Sequence, residues 1–194
     1  MPYITRDSIW SLERYARERP TFRAKVIEHK KSRKVFVGEH VLLEFEDELT
    51  VRYQIQEMLR VERTFEERGI LDEMEAYNPL IPDGRNFKAT MMIEYADEGE
   101  RAVALAGMRG IEDRTWVQVA GHDRVYAIAD EDIDRENDEK TSSVHFLRFE
   151  LTEAMAQALK SGAALAVGVD HPAYTASVDP VTPLVRASLA ADMV

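Results

Sequence analysis

The sequence predicts an α+β fold in which N-terminal helices and a hairpin pack on a mostly antiparallel sheet, with a helix at the C-terminus. Three observations indicate this class. Helical periodicity dominates residues 1–80, alternation with a period of two dominates residues 87–194, and the two patterns follow one another instead of mixing. Because the chain has 194 residues, we expect one domain with a helix-rich part (1–80) and a sheet-rich part (87–194).

The first part is predicted to contain four helices and one hairpin. Thr5 is the expected cap of the first helix, which stops at Pro20, and Gly38 occupies the turn of the hairpin. The helix over 50–68 has no internal Gly or Pro and is expected to stop at Gly69. The predicted segments are helices 5–20, 21–33, 50–68 and 70–77, strands 34–37 and 40–45, and a rigid turn at 78–84.

The second part is predicted to contain short strands and two helices. Thr152 is the expected cap of a helix over 152–160, and Thr182-Pro183 opens the last helix, with Pro at its first position. The predicted strands are 87–95, 102–107, 115–119, 124–128, 143–151, 165–169 and 174–178.

Composition excludes several classes of function. The chain has no cysteine, which excludes disulfides, a cysteine-ligated iron–sulfur cluster, thiolate zinc and a cysteine nucleophile. A net charge of −11 argues against nucleic acid as a partner. No stretch is long and apolar enough to span a membrane, and the N-terminus lacks a signal-peptide pattern, so we expect a soluble, cytoplasmic protein.

Charge is distributed unevenly along the chain. Residues 11–34 hold nine Lys and Arg against three Glu, whereas residues 130–140 hold seven acids against two bases. The simpler interpretation is a solvated acidic loop and an ordinary helix surface. The alternatives are that the two segments pair within the molecule, or that the basic helix docks an acidic partner.

One face of the helix over 50–68 combines apolar residues with carboxylates. At 100° per residue Glu62 falls in the middle of the apolar face that begins at Val51, and Glu66 lies at its edge. A carboxylate at a core position needs a partner, because desolvation penalises its charge. Glu62 and Glu66 are therefore candidate metal ligands. The alternative is that Glu62 has a structural partner, such as a buried Arg, Lys, Tyr or backbone amide.

The strand over 143–151 could complete such a metal site. Its alternation places His145 on the same face as Leu147, which is the expected core face. If the long helix packs on this face, His145 and Glu62 meet, and Glu94 could join them in a site for iron, manganese or zinc. The alternative is a hydrogen-bonded core histidine, and no recognised metal-binding spacing is present.

Two further groups are candidates for binding. Asp170 and His171 lie between two predicted strands, where they could act as a base or as ligands, although turn chemistry explains them equally well. Arg52, Arg60 and Lys88 could hold an anion, although ordinary surface charge also accounts for them. No glycine-rich phosphate loop and no serine-nucleophile elbow occurs.

Several stretches resemble a bacterial family of proteins of unknown function that covers most of a chain of this size. They are residues 43–46, 50–62, 76–82, 88–95 and 143–149, which read LEFE, TVRYQIQEMLRVE, AYNPLIP, KATMMIEY and SVHFLRF. The family brings no established activity and no catalytic residues. The resemblance implies a gene context beside rubrerythrin-like di-iron proteins and iron–sulfur reductases of the heterodisulfide-reductase type, and hence a redox or peroxide-stress setting.

Three functional hypotheses follow from the sequence. The leading one is an accessory protein that binds a redox partner of the rubrerythrin-like or iron–sulfur reductase kind. The alternative is an enzyme or carrier that depends on a transition metal held by the Glu and His candidates. A third is a structural homodimer that buries an exposed apolar helix face.

Overall fold

Two antiparallel sheets and six α-helices make up residues 3–129 and 141–194, the part of the chain that the computed structural model describes. The helices are α1 (Leu12–Lys30), α2 (Glu48–Glu62), α3 (Glu67–Tyr77), α4 (Glu98–Gly107), α5 (Glu153–Lys160) and α6 (Pro183–Ala190). The strands are β1 (Lys34–Val37), β2 (Val41–Phe45), β3 (Asn86–Ile93), β4 (Thr115–Val119), β5 (Val125–Tyr126), β6 (Ile128–Ala129), β7 (Val144–Glu150), β8 (Leu165–His171) and β9 (Tyr174–Val178).

The strands form a first sheet in the order β1-β2-β3-β7-β6 and a second sheet in the order β5-β4-β8-β9. Side chains from one face of each sheet belong to a single buried cluster, exemplified by Phe45 and Met91 of the first sheet and Val117 and Val167 of the second. The opposite face of the first sheet, which we call the outer face, is partly covered by α2. The predicted α+β class and C-terminal helix are confirmed.

A single helix, α1, replaces the two helices predicted on either side of Pro20, so the predicted break is wrong. It begins at Leu12 with Ser11 as its cap, so the predicted start at Thr5 is wrong as well. Pro inside a helix costs about 3 kcal/mol because it removes a backbone hydrogen bond. Here Tyr15 precedes Pro20 and Phe22 and Val26 follow it, and all three side chains are buried in one cluster. Burial on both sides of Pro20 favours continuation of the helix.

The helix predicted over 50–68 ends six residues early, at Glu62. Arg63 adopts the left-handed conformation with φ of 54°, and its N–H donates to the Leu59 carbonyl. The backbone N–H of Thr64 donates to the same carbonyl, at 3.0 Å. These two bonds satisfy the helix end in the way a C-terminal glycine usually does, and Gly69 instead lies inside α3.

The strand predicted over 102–107 is also wrong, because these residues belong to α4. Asp97 caps this helix by accepting a hydrogen bond from the Glu100 backbone N–H at 2.8 Å. The segment is rich in alanine, the strongest helix former. The predicted caps Thr152 and Thr182 are confirmed, since each side chain accepts a hydrogen bond from the first turn of its helix.

The acidic segment 130–140 lies outside the described residues, so its predicted role as a solvated or pairing loop stays a prediction. Within the described part, no helix combines the length and apolar character that crossing a bilayer requires.

Candidate functional site

A cleft of about 330 Å³ opens on the outer face of the first sheet, beside α2. Strands β1, β2, β3 and β7 form its floor, while α2 and the turn after α3 form its wall. Its charged and hydroxyl side chains are Lys30, Lys34, Glu44, Glu46, Thr50, Tyr77, Thr90 and Glu94. Its apolar side chains include Leu42, Val51, Leu80, Met92, Val144 and Phe146. This volume lies within the range typical of small-molecule sites.

Sheet register produces the two-part character of this cleft. Glu44 pairs with Lys34 on one side and with Thr90 on the other. Two positions away, Leu42 pairs with Met92, which pairs in turn with Val144. Because alternate residues of a strand point to the same face, a polar row and an apolar row lie side by side on the outer face.

Glu44 is buried and held by two lysines. Lys30, from the end of α1, and Lys34, from β1, each form an ion pair with one of its carboxylate oxygens, the second at 3.1 Å. A buried carboxylate requires such compensation. Both lysine charges in the cleft are therefore committed to one carboxylate.

Glu46, directly after β2, has two hydroxyl groups as partners of its carboxylate among the described residues. Thr50 Oγ1 donates to one carboxylate oxygen at 2.5 Å and Thr90 Oγ1 donates to the other at 2.6 Å. Within the described residues, no basic side chain forms an ion pair with Glu46 within 4.0 Å. Burial raises the pKa of Glu46, the Glu44 charge raises it further, and the two threonines and Lys30 act in the opposite direction. Burial prevails, so the pKa of Glu46 lies above its usual value and the carboxylate binds a proton more readily than an exposed glutamate does.

Arg33 fixes the backbone that carries Glu46. Its side chain is 1% exposed. The guanidinium donates to the carbonyls of Phe45 and Glu46 at 3.0 and 2.8 Å and pairs with Asp192 at 2.6 Å. The next residue, Asp47, caps α2. Burial raises the pKa of Asp47, but Arg33, the capping bond and His29 together outweigh burial, so the pKa lies below its usual value.

Glu62, predicted to be a carboxylate in the core, is exposed, and this prediction is wrong. It is the last residue of α2, and the helix ends there instead of continuing to 68. The apolar face therefore stops at Leu59, which is buried. Glu66 precedes α3 and is exposed as well.

His145 is buried on the inner face of β7, so its predicted orientation is confirmed. Its Nε2 lies 2.9 Å from the Ser142 carbonyl and its Nδ1 lies 3.8 Å from a Glu112 carboxylate oxygen. Glu94 is exposed and lines the cleft on the opposite, outer face. Because the sheet separates His145 from Glu94, these two side chains do not converge.

Across residues 3–129 and 141–194, no group of three or more His, Asp or Glu is arranged to hold a metal ion. The four candidate metal ligands are thus not brought together there. Metal binding by the protein stays a prediction.

The predicted pair Asp170 and His171 has structural contacts. Asp170 accepts a hydrogen bond from the Tyr126 hydroxyl at 2.6 Å and forms an ion pair with Arg124 at 3.3 Å. The two ring nitrogens of His171 bond to the Arg109 carbonyl and the Ala173 backbone N–H, at 3.0 and 3.1 Å. These backbone bonds favour the turn interpretation.

The cations predicted to hold an anion have different partners. Arg52 lies over the Phe22 ring and near Glu48, and Arg60 pairs with Glu57. Lys88, on β3, donates to the Pro79 carbonyl at 2.6 Å. The three side chains thus have separate contacts, and a shared anion site stays a prediction.

Sequence reasoning missed Glu44, Glu46 and the side chains that contact them. One signal was present in the sequence, since Leu42, Glu44 and Glu46 alternate with Leu43 and Phe45 and therefore share a face. The threonine and lysine partners could not be found this way, because α1, α2 and β3 bring them from distant parts of the chain.

The fold and this cleft define an α+β protein with a two-part cleft on the outer face of one sheet. Residues 3–193 match the profile of the family described as "Protein of unknown function (DUF3501)", so the chain belongs to this family. The chain is also similar to a novel protein of unknown function from Burkholderia pseudomallei K96243. That crystal structure has 53% sequence identity and a TM-score of 0.94, with both chains covered completely. No curated protein matches the chain significantly.

Proposed function

We propose that this protein binds a small molecule in the cleft of the outer face. The observation that carries the proposal is Glu46, a partly buried carboxylate that accepts hydrogen bonds from the Thr50 and Thr90 hydroxyls at one end of the cleft. The apolar row of Leu42, Met92 and Val144 forms the other end. Ligand sites typically combine a largely apolar wall with a few polar groups that orient the ligand.

Ligand-observed NMR with a fragment library tests this proposal. We expect several fragments to bind. Val144→Trp should lower their affinity by at least about tenfold, because the indole fills the apolar side of the cleft. Val103→Trp is the matched control, since Val103 is 76% exposed on α4. Absence of binders, or equal binding by both variants, would contradict the proposal.

A second candidate function is docking of an acidic redox partner on α1. Arg17, Arg23 and Lys25 are exposed on this helix, and Ile27 beside them is 44% exposed. The resemblance to a family with rubrerythrin-like and iron–sulfur reductase gene neighbours motivates the choice of partner. Complementary charge accelerates such encounters and makes them sensitive to salt.

Binding to a purified rubrerythrin-like protein and to an iron–sulfur reductase tests this docking. We expect salt-sensitive binding that is lost when Arg17, Arg23 and Lys25 are all replaced by Glu. The control reverses Lys160 and Arg186, which lie on α5 and α6. The docking hypothesis fails if neither partner binds or if both variants bind equally.

The metal-dependent alternative is tested by elemental analysis of protein purified without a histidine tag. A functional site requires a metal content near one equivalent after loading with iron, manganese or zinc. Loss of that metal in either Glu94→Gln or His145→Gln would show on which face of the first sheet it is held. Less than about a tenth of an equivalent after loading would exclude the site.

A further inference from the structure

Both lysines of the cleft pair with the same carboxylate, that of Glu44. Lys30 and Lys34 both contact the carboxylate of Glu44, one on each oxygen. An anionic ligand would have to compete with this buried carboxylate for either ammonium group. Releasing Glu44 from its partners is costly, because it leaves a desolvated charge uncompensated. The cleft therefore disfavours anions in spite of its two lysines.

The other two carboxylates of the cleft are differently placed. Glu46 accepts hydrogen bonds from Thr50 and Thr90, and Glu94 lines the same cleft from the end of β3. Within the described residues, neither Glu46 nor Glu94 forms an ion pair within 4.0 Å. The five charged side chains that line the cleft, Lys30, Lys34, Glu44, Glu46 and Glu94, sum to −1 when all are ionised.

Beyond Thr90, whose hydroxyl contacts Glu46, the floor of the cleft becomes apolar. Met92 lies two residues beyond Thr90 on β3, and Val144 is its cross-strand neighbour on β7. A ligand with a polar group at Glu46 thus extends over Met92 and Val144. The preferred polar group is a hydrogen-bond donor, because a carboxylate accepts and an ammonium donor gives the strongest bond to it.

We propose that the cleft selects small amines, with the ammonium group bound to Glu46 and an apolar body lying on Met92 and Val144. This inference rests on the proposed binding function and specifies its ligand class. Burial raises the pKa of Glu46. An ammonium ligand binds the ionised carboxylate, so a protonated Glu46 must release its proton when the ligand binds. Affinity for amines should therefore fall as pH falls through the pKa of Glu46.

Three probes of similar size test the inference, namely 2-phenylethylamine, 3-phenylpropionate and 2-phenylethanol. At neutral pH and low salt we expect the amine to bind at least about tenfold more tightly than either of the others. Glu46→Gln should remove this preference and Glu46→Asp should keep part of it. Glu153→Gln, at an exposed position on α5, should leave the preference intact. Thermal unfolding of each variant verifies that it is folded.

The outcomes separate this inference from the proposed function. Tighter binding of the acid or the alcohol, or an amine preference that survives Glu46→Gln in a folded variant, overturns the amine assignment. If Val144→Trp nevertheless weakens the binding of the acid, the alcohol or the amine, the cleft remains a ligand site. No binding of the amine at about 10 mM overturns the inference. Absence of any fragment that responds to Val144→Trp overturns the proposed function as well.

Discussion

Two glutamates, Glu62 and Glu46, show how the position of a residue in the fold decides whether its carboxylate is exposed or partly buried. Glu62 lies on the apolar face of an extrapolated helix, yet it is exposed because α2 ends at that residue. Glu46 follows a strand and is not among the site residues predicted from the sequence, yet it is partly buried and bonded to two threonines. A local pattern thus predicts that a carboxylate is buried only where the helix or strand extends as far as the pattern assumes.

At the same scale, the end of α2 offers a stability test. Arg63 has φ of 54°, a region that a side chain with Cβ occupies at a cost of about 1 kcal/mol. Arg63→Gly should therefore raise the free energy of unfolding by about 0.5–1 kcal/mol, measured by urea denaturation. Arg60→Gly, inside α2, should instead lower it by about 1 kcal/mol. A destabilised Arg63→Gly protein would contradict this account.

Close contact between neighbouring strands sets the geometry of the second sheet. Gly168 of β8 pairs with Trp116 of β4, and the indole lies against the glycine backbone. A Cβ on Gly168 would come within 2.3 Å of a ring carbon of Trp116. Arg124 also lies over this ring, with its guanidinium carbon 3.9 Å from the centroid. The indole thus has little freedom to move away.

Gly168→Ala is the corresponding prediction. Displacing the indole should lower the free energy of unfolding by about 1–3 kcal/mol, the range typical of overpacked cores, and should alter the tryptophan near-ultraviolet circular dichroism. Gly107→Ala is the control, because its Cβ would meet nothing within 4 Å. It should leave stability unchanged or raise it by up to about 1 kcal/mol. Equal stability of both variants would argue against the close contact.

At the scale of the whole molecule, much of the basic charge at the N-terminus is used internally. Arg19 pairs with Glu57, Arg33 pairs with Asp192, and two lysines hold Glu44. The pKa of Glu57 is lowered to about 2, mainly by the hydrogen bond that its carboxylate accepts from Arg19. The first of these pairs connects α1 to α2, and the pair of Lys30 with Glu44 connects α1 to the first sheet. Arg33 connects the turn after α1 to the C-terminal residues. The charge asymmetry of the sequence therefore serves the fold at several positions.

The pH dependence of stability should reveal Glu46. Its pKa in the folded state is raised above the ordinary value of 4.5 by burial, so the folded state binds the proton more tightly than the unfolded state. The resulting stabilisation is present below pH 4.5 and is lost as pH rises through the folded-state pKa. Urea denaturation between about pH 4.5 and pH 8 should show the parent losing stability relative to Glu46→Gln. A constant difference between the two proteins would contradict the raised pKa.

Self-association is a further property of the whole molecule. Val61 and Phe65, at the junction of α2 and α3, are 64% and 62% exposed. If the predicted homodimer forms through this apolar surface, Phe65→Asp should shift the equilibrium to the monomer in sedimentation experiments, while Val103→Asp should not. A parent protein that is monomeric at all concentrations would exclude the homodimer.

What the sequence by itself determined is the local structure. The α+β class, the caps Thr152 and Thr182, and the inward orientation of His145 follow from periodicity and backbone hydrogen bonding, which act over a few residues. Tertiary structure alone decided that α1 continues through Pro20, because buried side chains on both sides outweigh a missing bond. It also decided the surroundings of Glu46. The cleft depends on sheet register and on the placement of α1 and α2, which join residues that no local pattern relates.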